Sequence, residues 1–377
     1  KDKKGKDTQK DAEYVDKSLM SDLFERRIPQ FVGLYFAISW GVIQFIQWVV
    51  ERYLLSPHLV DLSLAVSISM IPSILILSYF HGRPGKDKWN RIERIAVPAN
   101  LVVSVLLLFI FFYPKDLGAV TENVTAIDEN GFEVSKTIIK SEFRKTYNVY
   151  LFKNTSLDTT YNWMGKGIQS LILEDLYQDI FCNSKTHSAN YIKMGMGFKR
   201  RDYLSIAEQQ NIAKRTLSEY FITGNYSIEN NIYNITVDLY RTNNAKLLTS
   251  NTYQGEDFFS LIDLVTNQIK IDMEIPTSYL ENLNDLPIAE TFTNSIEALK
   301  YYVYANWSVD HAKETVLYQE AVKYDEGFVN AYISLYTHAI QNSDQENFTK
   351  YINLALKYIN RLSEEDRFLV RMDATLL

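Results

Sequence analysis

One cysteine, Cys182, stands among 377 residues. No intrachain disulfide is possible, which excludes a disulfide-stapled secreted scaffold. A lone thiol is expected to pack as a small hydrophobe rather than to react. Basic charge is also short. Lys and Arg number 39 against 46 Asp and Glu, a net charge of -7, and this argues against nucleic-acid binding through bulk charge. Histidine is scarce and scattered, at His58, His81, His187, His311 and His338. None lies in an HExxH or beside a paired cysteine, so no metal site is expected. Complete phosphate loops are missing. Gly165-Lys166-Gly167 and Gly195-Met196-Gly197 finish neither GxxxxGK[ST] nor GxGxxG, and both are read as helix-start packing. No catalytic residue and no cofactor are expected from these patterns.

What is present is a long apolar block. FVGLYFAISWGVIQFIQWVV, residues 31–50, carries no charged side chain. The mean hydropathy of -0.18 averages over a very apolar segment, 31–113, and a polar one, 114–377, rich in Asn, Tyr and Lys. Three stretches, at about 31–53, 62–80 and 95–113, approach the ~20 residues that a helix needs to cross a ~30 Å hydrocarbon core. Pro72 and Pro98 are costly inside a soluble helix but common in membrane helices. Arg26 and Arg27 precede the first stretch, and Arg83, Lys86, Lys88, Arg91 and Arg94 follow the second. The loop LLSPHLV between the first two has neither Lys nor Arg. This bias predicts a charged cytoplasmic segment, 1–30, three transmembrane helices, and residues after 113 on the extracytoplasmic side.

The first span holds a strip of small residues, Gly33, Ala37 and Gly41, with Gln44 extending it. Such a strip lets a second helix approach closely, and the glutamine adds a hydrogen-bonding group. Packing among this chain's own three helices is the favoured expectation over a dimer or partner contact. No span carries Asp, Glu, Lys or Arg at its middle, which speaks against an ion or proton path.

Beyond the spans, residues 114–146 read as a β-hairpin linker turning at Asp128-Glu129-Asn130-Gly131. Residues 147–275 read as a mixed α/β domain. A strand is expected at 148–154. A helix near 162–180 should bury Ile168, Leu171, Ile172, Leu176 and Ile180. A second helix is placed near 202–216. Three strands follow, the middle one alternating Tyr233, Ile235, Val237 and Leu239 with polar residues, and DFFSLIDLVTNQIKIDM closes the unit as a helix. After a Pro-marked linker, residues 288–377 read as helical repeats. Ala321 and Ala355 are 34 residues apart, the period of a tetratricopeptide helix pair. A single pair cannot bury its apolar face and three are expected, so the array is read as truncated. Among its tyrosines, Tyr301, Tyr304, Tyr332 and Tyr336 are candidates to line a partner groove.

The order of parts resembles a known family. ERRIPQFVGLYFAISWGVIQFIQWVVERYLLSPHLVDL, YFHGRPGKDKWNRIERI and KSEFRKTYNVYLFKN are similar to bacterial membrane-anchored tetratricopeptide-repeat proteins, loosely grouped as adenylate-cyclase-associated. NTSLDTTYNWMGKGIQSLILEDL and YFITGNYSIENNIYNITVDLYRTNNAKLLTS resemble their TolB-amino-terminal or FlgO-like α/β domain. The likeness covers residues 20–377. It is weaker in the repeats, which lack the usual Trp, Gly and Pro positions. It implies a membrane α fold of three transmembrane helices, plus an extracytoplasmic α/β domain and tetratricopeptide-type repeats. The implied role is a non-enzymatic scaffold in the bacterial inner membrane that binds envelope or membrane proteins, as a homo-oligomer or within a larger complex. It implies no cofactor, no metal and no direct nucleic-acid contact. The alternative is a transmembrane signal transducer whose cytoplasmic output domain, DNA-binding or cyclase-like, precedes Lys1.

Overall fold

The computed structural model describes residues 27–81, 89–127, 132–199, 201–281, 283 and 285–375. The N-terminal charged segment up to residue 26, loop residues 82–88 with Arg83, Lys86 and Lys88, and the hairpin turn 128–131 lie outside them. Two compact units divide the chain near residue 121.

The first unit contains three long helices, α1 (Ile28–Tyr53), α2 (His58–His81) and α3 (Arg91–Phe112). The shortest has 22 residues, and at ~1.5 Å per residue it spans ~33 Å. Large apolar side chains point outward along all three, among them Trp40, Phe45, Leu106 and Ile110. In water this surface would be a severe liability, so the helices fit a membrane anchor. Each helix begins a few residues before the apolar run. In α3 the cause is local: Glu93 accepts a hydrogen bond from the Asn90 N–H at 3.0 Å, which recruits Arg91 and Arg94 into the first turn.

α1 packs on α2, and α2 on α3. Polar groups join them. The Tyr35 hydroxyl donates to the Ser67 carbonyl at 2.6 Å. The Asn100 amide donates to the Ser69 carbonyl at 3.0 Å and to Ser73 Oγ at 2.9 Å, beside the Pro72 interruption of α2. Without water, such interhelical bonds stand in for solvent. The segment after α3 returns to the α1–α2 loop, where the Ser56 N–H donates to Gly118 and Val120 to Leu54, both at 2.8 Å. The end of α1 and the segment that follows α3 therefore share one end of the bundle.

The second unit opens with β1 (Thr121–Ile127) and β2 (Glu133–Ile139), which pair with each other. A larger sheet follows, built from β3 (Lys145–Val149), β4 (Lys153–Asn154), β5 (Cys182–Ser184), β6 (Tyr220–Glu229), β7 (Ile232–Arg241) and β8 (Lys246–Gly255). Its order is β5-β3-β6-β7-β8, with β4 also on β6. β3 lies parallel to β5 and β6, while β6, β7 and β8 run antiparallel. Helices α4 (Met164–Tyr177), α5 (Thr186–Gly195), α6 (Ile206–Arg215) and α7 (Phe258–Asp272) cover it.

Alternation along β6 sorts the two faces. Phe221 joins Tyr150, Ala189, Ile212 and Ala213 in a core under α5 and α6. Tyr226 and Gly224 point the other way, toward Phe152 and the start of α4. Four expectations are corrected here. The single strand expected at 148–154 is two, β3 and β4. Between the two expected helices lie an additional strand, β5, and an additional helix, α5. Gly195-Met196-Gly197 ends α5 instead of starting a helix, with Gly197 at φ +90. Ile180 lies past the end of α4 and is exposed.

Short helices α8 (Thr277–Leu280) and α9 (Ile288–Thr291) lead to α10 (Ile296–Trp307), α11 (His311–Tyr324), α12 (Val329–Gln341), α13 (Gln345–Lys357) and α14 (Glu364–Ala374). α10 packs on α11, α12 on α13, and α11 on α12. Connections this short make consecutive helices antiparallel. Ser295, Asp310, Asp344 and Ser363 cap helix starts by accepting backbone N–H bonds.

Candidate functional site

α4 stands between the sheet and the helical pairs. Its inner face buries Ile168, Leu171, Ile172 and Leu176 completely. Its start is held tightly. The Gly165 N–H donates to the Tyr226 hydroxyl oxygen at 3.1 Å, and Phe152, itself wholly buried, lies against both Gly165 and Gly224. The glycines of Gly165-Lys166-Gly167 are thus packing positions: Gly167 makes room for Leu299 of α10 and for Trp163.

The outer face of α4 looks onto a cleft of about 520 Å³. Lys166, Ser170 and Glu174 form one wall. Tyr302 and Asn306 of α10, Asn330 and Ser334 of α12, and Asp366 of α14 form the opposite one. The first helix of each successive pair thus faces the α/β domain. A second, smaller hollow of about 200 Å³ shares Glu174, Asn330 and Asp366 and runs on toward Arg361. The electrostatics are unusual for a surface cleft. Loss of hydration raises the Glu174 carboxyl to about 7, and nearby Asp366 adds to this while Lys166 opposes it. Burial likewise drives the Tyr302 phenol upward.

Beneath the cleft a polar cluster ties α4 to α7 and to the linker. Asp175 is buried and accepts a hydrogen bond from Thr266; burial pushes its carboxyl up to about 7. Lys270 is 1% exposed and pairs with Asp285 of the linker. Farther along, Arg361 donates to Asp325 at 3.0 Å and to the carbonyls of Ala289 and Glu290, so one guanidinium joins α9, the end of α11 and the turn before α14.

The expected site residues distribute differently. Gly33, Ala37, Gly41 and Gln44 are all exposed, and nothing lies within 4 Å of a Cβ built on Gly33 or Gly41. The strip faces away from α2, which meets Tyr35 instead, so the expected contact within the chain is not made. Tyr332 and Tyr336 are buried at 5% and 2% exposure; Tyr336 donates to Asp373 at 2.9 Å. They hold helices together and do not line a groove. Tyr301 is half-buried and stacks on Tyr324 at 5.5 Å, and Tyr304 is half-buried as well. The tyrosine that reaches the cleft is their neighbour, Tyr302. The scattered histidines also converge in part: His311 and His338 come together with Glu314 between them, on α11 and α12.

No family model matches the chain, and no match is found among curated proteins. Solved structures show distant likenesses. The LpoB C-terminal domain from Salmonella enterica is 13% identical, covers 30% of this chain and 82% of that chain, and gives a TM-score of 0.26. The same domain from Escherichia coli is 12% identical over 29% of this chain and 82% of that one, with a TM-score of 0.27. TolB from Acinetobacter baumannii is 12% identical with a TM-score of 0.25; the match covers 41% of this chain but only 31% of TolB. Likeness at this level assigns neither family nor partner.

Proposed function

We propose that the protein is a membrane-anchored scaffold of the bacterial envelope that binds protein partners through residues 122–377. The observation that carries this reading is the cleft walled by α4 on one side and by α10, α12 and α14 on the other. It is open, is contributed by two structural parts, and mixes amide and hydroxyl groups with Tyr302, Leu173 and Ile333. That mixture of aromatic, aliphatic and hydrogen-bonding groups suits recognition of a polypeptide. The helical pairs suit a tetratricopeptide-type array, since Ala321 and Ala355 occupy equivalent places on α11 and α13 and are both wholly buried. The sequence resemblance supports the TolB-amino-terminal or FlgO-like reading of the α/β part. The basic residues flanking the spans support an inner-membrane protein with a cytoplasmic N-terminus and extracytoplasmic residues after 113. The outward small-residue strip on α1 leaves room for a helix of a sister chain or larger complex.

The test is photo-crosslinking in native membranes from the full chain. A crosslinking residue at Asn190, on the cleft rim, is expected to capture a defined envelope protein; one at Thr252, on the exposed strand β8, is not. Ser334→Arg, which narrows the cleft, should reduce capture at least several-fold. Adducts that are identical from both positions, or absent from Asn190, would defeat the scaffold reading.

One observation favours a second reading. Glu174, with its carboxyl raised to about 7, converges with Asp366 in the cleft. A protonated carboxylic acid beside a second carboxylate is what general-acid hydrolysis of an envelope polymer requires. Turnover of such a polymer by the purified chain, abolished in Glu174→Gln, would establish it; equal turnover in both would remove it.

A further inference from the structure

We propose that His311, Glu314 and His338 bind a divalent transition-metal ion of the zinc class. His311 and Glu314 lie three residues apart in the first turn of α11, so they share a face. His338 sits in the last turn of α12, which runs back alongside α11. The three donor atoms lie within 4.8 Å of one another. His311 Nδ1 is 3.0 Å, and His338 Nε2 3.2 Å, from the same carboxylate oxygen, Oε2 of Glu314. Four ligands arranged tetrahedrally at ~2.0–2.2 Å stand about 3.4 Å apart, so small rotations bring this set onto one ion.

The hydrogen bonds around His338 point the same way. The Thr315 hydroxyl donates to the His311 carbonyl at 3.0 Å. The same hydroxyl lies 3.0 Å from His338 Nδ1, so Thr315 accepts from the ring when the imidazole proton sits there. That tautomer leaves Nε2 with a lone pair 3.2 Å from Glu314 Oε2, the form in which an imidazole ligates a metal. A metal ion at Nε2 would select this tautomer, with Thr315 as the outer group that holds the ligating imidazole in it.

Two imidazoles and one carboxylate select borderline ions over calcium and magnesium, which prefer oxygen donors alone. Three protein donors leave a fourth coordination position. It opens on the side of His311, whose side chain is 74% exposed, and takes water or a donor group from a bound partner. α11 ends the first helical pair and α12 begins the second, so the ion would clip one pair to the next.

The test uses the full chain in detergent, free of affinity tags and stripped by a chelator. Cobalt(II) is the probe, because its visible absorption reports coordination; zinc is then counted by mass spectrometry after gel filtration. One equivalent of cobalt is expected, displaced by zinc. His311→Ala removes an exposed ligand without touching the core, and Glu314→Gln keeps the shape. Each should weaken binding by at least ~10-fold, while His58→Ala leaves it unchanged. Zinc at a hundredfold excess over its dissociation constant should raise the melting midpoint by about 5 °C, and less in His311→Ala. Absence of stoichiometric binding, or full-strength binding in both variants, overturns the proposal. His311→Ala and Glu314→Gln proteins that melt as the parent does without metal keep a folding defect from mimicking the expected loss.

Discussion

At the scale of single residues, burial decides chemistry. Gly165 begins α4 with its Cα facing the backbone of Phe152. Alanine ordinarily stabilises a helix over glycine by ~0.5–1 kcal/mol. Here a Cβ would run into the Phe152 carbonyl oxygen, with Tyr226 3.3 Å away. Gly165→Ala is therefore expected to destabilise by about 1–3 kcal/mol, measured by chemical denaturation of the full chain in detergent. Glu174 gives a pH signature. Its folded carboxyl titrates at about 7 against 4.5 when free. Between these values the folded state holds a proton that the unfolded chain has lost. Stability thus falls as pH rises through 4.5 to 7 and levels off above it. Asp175, raised from 3.8 to about 7, adds a slope of the same sign. Glu174→Gln should flatten part of this slope. It should melt higher than the parent by on the order of 1–2 kcal/mol equivalent near pH 8, with near-equality around pH 4. A variant with an unchanged slope would show that the carboxyl is hydrated.

At the scale of elements, the linker is fastened and not slack. Lys270 of α7 holds Asp285, while Arg361 holds the α9 carbonyls together with Asp325, which is 9% exposed. Arg361→Ala leaves Asp325 with Thr293 and the Gly327 N–H but without its countercharge. A loss of about 2–4 kcal/mol is expected, together with faster amide exchange in α9 and in the turn before α14. Gly327 supports this, because a Cβ there would strike the Arg361 guanidinium. In the anchor the opposite holds for the small-residue strip. Gly41→Ala adds a methyl group into open space and should leave the thermal midpoint of the detergent-solubilised chain unchanged within error.

At the scale of the whole molecule, the chain divides into an apolar unit and a water-compatible one near residue 121. The second unit has its own sheet and buried core, including Phe152, Phe221, Ile262 and Phe328. Residues 122–377 expressed alone are expected to remain in solution and to melt cooperatively, while the full chain partitions with membranes and needs detergent. Fractionation and calorimetry check both.

The sequence by itself determined the elements whose signal is local. The three apolar stretches give α1 to α3, because burial in lipid demands only length and the absence of charge. The alternation of Ile235, Val237 and Leu239 gives β7, and the 34-residue spacing of Ala321 and Ala355 gives the helical pairs. Short elements escaped. β5 is three residues long and α5 is short with few apolar residues, so both depend on the sheet they complete. The site was legible only in fragments. Tyr301, Tyr302 and Tyr304 look alike in sequence, and the tertiary structure alone turns Tyr302 to the cleft. Glu174 and Asp366 acquire their coupling only when α14 folds back onto α4, and His311 meets His338 only when α11 and α12 pair. The physical reason is range: periodicity reports which face of an element is apolar, whereas a cleft or a ligand set is made by which faces meet.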